Sequence, residues 1–154
     1  MLYMGIWSEY GELSDAFKLH NYKELPLDFK NIREELGDLL FYIFAYVIVT
    51  SSTQSLMNNI EFLDDPIRKK DADKTTIILM IDLNIQLNKL ITMQKSTPVV
   101  LTKILRYIKL LALTNHTSIP AIVEHNEDKL LGIKGRYSEG HFSIKQAIGR
   151  KDKK

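Results

Sequence analysis

With 154 residues, 45% of them hydrophobic and 26% charged, the chain has the size and composition of one soluble globular domain that can bury a core. It has no cysteine, which excludes disulfides and thiolate metal sites. Its net charge of +2 conceals a split: residues 1–66 hold eleven acids and four Lys/Arg, and residues 67–154 hold eight acids and seventeen Lys/Arg.

The opening MLYMGIW has neither the basic region nor the cleavage site of a secretory signal. The first predicted helix, 2–20, carries an apolar stripe of Leu2, Ile6, Tyr10, Leu13 and Phe17 at helical spacing, with Glu9 and Glu12 beside it. A second helix is predicted over 28–51. Its stripe is Phe29, Ile32, Leu36, Leu39, Leu40 and Ile43, with Glu35 and Asp38 on the flank. The run from Leu39 to Val49 is apolar all round, but its eleven residues fall short of the roughly 20 that span a membrane. These features together predict a soluble, cytoplasmic protein.

Residues 64–72, DDPIRKKDA, read as an exposed connector, and further helices are predicted over 73–95, 98–115, 118–131 and 143–150. Thr97-Pro98 and Ser118-Ile119-Pro120 have the form of a cap followed by a helix start, and Ser143-x-x-Gln146 that of a capping box. No strand alternation is present. The expected fold is therefore an all-α bundle of five to six helices, in a single domain over 1–154. A degenerate internal repeat is one reading of the chain: the stretch from Leu39 resembles that from Ile104, aligning Tyr42 with Tyr107 and Asn59 with Asn126.

Residues three apart on a helix share a face at about 5–6 Å. Glu9 with Glu12, and Glu35 with Asp38, thus form two carboxylate pairs, which antiparallel packing would merge into one pocket. Hard oxygen donors without His or Cys favour Mg²⁺ or Mn²⁺. A di-iron centre would need Glu-x-x-His pairs, and none of the four histidines follows a glutamate by three. Gly11 and Gly37, set between the paired acids, would leave space for a cation and its waters and allow close helix approach. The alternative is that the acids form an ordinary solvated face. The basic half of the chain then has two readings, solubilising surface or groups that receive a polyanion. Its basic residues are scattered without interleaved aromatics, which argues against a nucleic-acid interface.

Glu9-x-x-Glu12 and Glu35-x-x-Asp38, with their settings GIWSEYGELSDAFK and EELGDLLFYI, resemble the motifs of the MazG-like all-α nucleoside triphosphate pyrophosphohydrolases, relatives of the dimeric dUTPases and dCTPases. NEDKLLGIKGRYSEGHFSIKQAIGR is similar to the family's C-terminal stretch, and the resemblance covers about 2–50 and 118–150. It implies a four-helix core and Mg²⁺-dependent hydrolysis of a (deoxy)nucleoside triphosphate to monophosphate and pyrophosphate, by water attack at the α-phosphorus. Glu9, Glu12, Glu35 and Asp38 would be metal ligands and catalytic residues. Lys18, Lys129 and Arg136 would meet phosphate, with Asn126 and Tyr137 orienting sugar or phosphate. A catalytically inactive helical bundle of the same fold, serving interaction or structure, is the alternative. Trp7 reads either as a base-stacking ring or as core.

Phe41, Tyr42, Phe44, Tyr46, Val47 and Ile48 point around the whole circumference of their helix, which predicts a homodimer or higher homo-oligomer built on 39–49. The rival cover for that helix is the segment 98–115 of the same chain.

Overall fold

The computed structural model describes residues 2–23, 25–50, 74–93 and 98–131. They form five helices: α1 Leu2–Lys23, α2 Phe29–Thr50, α3 Thr76–Thr92, α4 Pro98–Thr114 and α5 Ile119–Leu131. The protein is all-α, with no strand among the described residues. The predicted helix 143–150, with its capping box, and the connector 64–72 lie outside those residues.

Helix starts are set by local chemistry. The Asp28 carboxylate accepts from the Asn31 amide at 3.0 Å and caps α2, and Thr75 Oγ1 accepts from Ile78 to cap α3. Ser118 Oγ accepts from the Ala121 amide at 3.3 Å and caps α5, as its spacing predicts. Helix α4 ends in a Schellman motif: the Thr117 amide donates to the Ala112 carbonyl and the His116 amide to the Leu113 carbonyl. His116 takes the left-handed conformation, at φ 56°, that glycine usually supplies there, and its ring packs edge-on to Phe29.

Helices α1 and α2 pack as an antiparallel hairpin, in which Gly5 meets the ring of Tyr42 and Glu9 and Glu12 meet Glu35. Helices α3 and α4, joined by a short connection, pack mainly on each other. Helix α5 runs along the other side of α2. The stripes meet in one core. Ile6, Leu13 and Phe17 come from α1, and Ile32, Leu36, Leu39, Leu40 and Ile43 from α2. Leu83, Leu87, Leu101, Ile104 and Ile108 come from α3 and α4. Phe29, predicted in the α2 stripe, is exposed instead, in the first turn of α2 with its ring edge-on to His116.

The apolar run on α2 is largely covered within the chain. Tyr46 and Val47 are buried, Tyr42 and Phe44 pack partly against the core, and Phe41, Ile48 and Val49 remain exposed.

Candidate functional site

Antiparallel packing of α1 on α2 brings Glu9 and Glu12 to Glu35. One carboxylate oxygen from each lies within 4.8 Å of the others. Glu35 is buried, Glu9 half-buried and Glu12 exposed, so the cluster opens to solvent on the α1 side. Three converging carboxylates repel one another unless a cation sits among them. An all-oxygen donor set fits a hard divalent ion such as Mg²⁺ or Mn²⁺.

Asp38, the fourth predicted ligand, is not part of this trio. Its carboxylate is held by the ammonium of Lys129, which also stands 3.2 Å from a carboxylate oxygen of Glu34. All three side chains are about nine-tenths buried. Lys129 sits in the last turn of α5, Glu34 and Asp38 lie one turn apart on α2, and the ion pair locks the two helices together. Glu34 could not have been singled out from the sequence: in the run Arg33-Glu34-Glu35 nothing shows which carboxylate turns toward α5.

Asn126, also a predicted contact, is buried where α5 crosses α2. A methyl group at Gly37 would stand 3.2 Å from both its Cβ and its Nδ2. Gly37 thus stands where α5 approaches α2 closely, and the room it leaves is taken by Asn126 and Ile122. Gly11 differs: a methyl there would meet nothing within 4 Å, so the backbone at this point borders open space.

Lys18 is turned away from the trio. It lines a groove between α1 and α3 with Tyr10, Phe17, Ile77 and Ile81, and stands 4.0 Å from Asp15 on the same helix. Trp7 is partly buried, packed against the core and edge-on to Tyr10. Tyr10 donates from its hydroxyl to the Met80 carbonyl at 2.9 Å, tying α1 to α3. Burial pushes its phenol above the ordinary value of 10.0, and a hydrogen bond with Asn84 pulls it partly back. Arg136 and Tyr137 lie outside the described residues.

Comparison with family models, with curated proteins and with solved structures found no match. No helix among the described residues is long and apolar enough to cross a membrane.

Proposed function

We propose that the chain is a divalent-cation-dependent nucleoside triphosphate pyrophosphohydrolase, cleaving its substrate to the monophosphate and pyrophosphate. The observation that carries this reading is the meeting of Glu9, Glu12 and Glu35. The spacing of the acids and their resemblance to the MazG-like motifs support it. Glu9, Glu12 and Glu35 would hold the ion. When bound, Mg²⁺ would neutralise phosphate charge and make the attacking water more acidic. A carboxylate of the trio would take the proton of that water. Lys129 offsets the charge of Asp38 and Glu34, which lowers the negative field that an incoming polyphosphate meets.

A second reading, a helical bundle of the same design without turnover, is favoured by the engagement of Asp38 with Lys129. The two separate in one assay: pyrophosphate release from a panel of NTPs and dNTPs with Mg²⁺, with Glu35→Gln as control. Turnover lost in E35Q supports the enzyme. Magnesium-induced thermal stabilisation without turnover on any substrate supports the inactive bundle. Neither stabilisation nor turnover removes the metal site.

We also propose a homodimer that covers the apolar residues left exposed at one end of the α1–α2 hairpin, among them Met4, Ile48 and Val49. Light scattering at micromolar concentration tests it, and a 17.8 kDa particle would refute it.

A further inference from the structure

Helix α3 keeps in water a face patterned like a packed one. Ile77, Ile78, Ile81 and Ile85 are 57%, 46%, 55% and 44% exposed, which together leaves about two whole isoleucines uncovered. Ile78, Ile81 and Ile85, followed by Asn88 and Thr92, recur at alternating steps of three and four. That is the heptad spacing of a helix lying along another helix. The other side of α3, with Leu79, Leu83, Leu87 and Leu90, is already buried in the core of the chain.

The isoleucine row borders a groove. Between α1 and α3 lies an open trough of about 400 Å³, walled by Tyr10, Ser14 and Phe17 on α1 and by Ile77 and Ile81 on α3. Ile85 and Ile78 stand about 40° and 60° further round α3 from Ile81, on the side away from the trough. One face thus carries a ridge and, beside it, a groove that runs the same way. Such a surface is its own complement: across a two-fold axis, each ridge enters the groove of the other copy. With that axis between Ile81 and Ile85, antiparallel pairing sets Ile85 of each copy against Ile81 of the other. The polar end of the row, Asn88 and Thr92, then meets the polar end of the groove, where Ser14, Lys18 and Thr76 stand.

We propose that α3 is a contact between two copies of this chain, paired antiparallel, with the isoleucine ridge of each in the α1–α3 groove of the other. The face is smaller than the roughly 800 Å² per partner of a standard interface, so the pair is a weak one, formed at high concentration. It is separate from the hairpin-end contact near Met4, Ile48 and Val49, and it rests neither on the metal centre nor on the phosphohydrolase reading.

Sedimentation velocity at roughly 200 µM chain, a concentration suited to a weak pair, tests it. Ile78→Glu with Ile85→Glu alters exposed positions only and keeps a good helix former at each. This double variant should have half the particle mass of the native chain, with the helical circular dichroism signal kept. The halving is expected whether or not the hairpin end also associates. Because the chain has no cysteine, Ile85→Cys supplies a single thiol. A short bismaleimide should join two chains through that position, and should not join chains that carry Val123→Cys, an exposed site on α5. If the glutamate variant does not fold, the cross-linking comparison decides alone. Equal mass for native chain and glutamate variant overturns the proposal, as does equal cross-linking at the two cysteine positions. A native chain that stays at 17.8 kDa at that concentration overturns it too.

Discussion

Two glycines on α1 illustrate how a single position acquires its meaning from what faces it. A methyl at Gly5 would overlap the ring of Tyr42, and one at Gly11 would enter open space. Gly5→Ala should therefore cost about 1–3 kcal/mol through overpacking. Gly11→Ala should add up to about 1 kcal/mol from helix propensity alone. Urea denaturation of the two variants should show shifts of opposite sign. Tyr10 carries a second residue-scale prediction. Its phenol holds its proton more tightly in the folded chain than in the unfolded one, because burial disfavours the phenolate. Its contribution to stability is complete below about pH 10 and is lost as pH rises through the folded-state value, where only the unfolded chain has released the proton. Tyr10→Phe should flatten that alkaline decline, at a cost of about 1 kcal/mol for the lost bond to Met80. Melting temperature followed from pH 8 to 11 measures both effects.

At the scale of elements, the acids of α2 divide between two neighbours. Glu35 faces α1 and its glutamates, whereas Glu34 and Asp38 face Lys129 on α5. Their substitutions should differ accordingly. Glu35→Gln removes one carboxylate from the trio and leaves the Lys129 lock in place, so it should cost less stability than either α5-facing substitution. Asp38→Asn weakens a buried charged pair and should cost about 1.5–3 kcal/mol. Lys129→Met removes the cation from between two buried carboxylates and should cost about 3–5 kcal/mol. Equal stability across the three variants would mean that the α2–α5 lock contributes nothing. Magnesium at a hundred times its dissociation constant should stabilise the native chain by about 2.7 kcal/mol and E35Q far less. The pairing of Glu9 with Glu12 was legible in the sequence because helical spacing puts i and i+3 on one face, whereas Glu35 and Asp38, paired by the same rule, turn to different neighbours. The allocation of Asp38 to Lys129 was not legible, since 91 residues separate the partners and no local pattern links them.

At the scale of the whole molecule, the described residues leave apolar surface in several places, two of which bear on assembly. One is the end of the α1–α2 hairpin near Met4, Ile48 and Val49. The other is a row on α3 formed by Ile77, Ile81 and Ile85. If the hairpin end is the dimer contact, Ile48→Asp with Val49→Asp should yield a monomer in light scattering while the helical circular dichroism signal is kept. An unchanged mass would place the contact elsewhere. By itself the sequence determined what local periodicity encodes: the all-α class, the five described helices to within about three residues at each end, the stripes that became the core, and a concentration of carboxylates beside two of those stripes. These follow from the 3.6-residue turn, which needs no knowledge of neighbours. Only the tertiary structure decided which three acids meet, that Lys129 holds the fourth, that Lys18 faces α3, and that Asn126 is buried behind Gly37. Each of these depends on which helix packs on which face of α2, a choice made by the fit of side chains from distant segments and recorded in no single stretch of the chain.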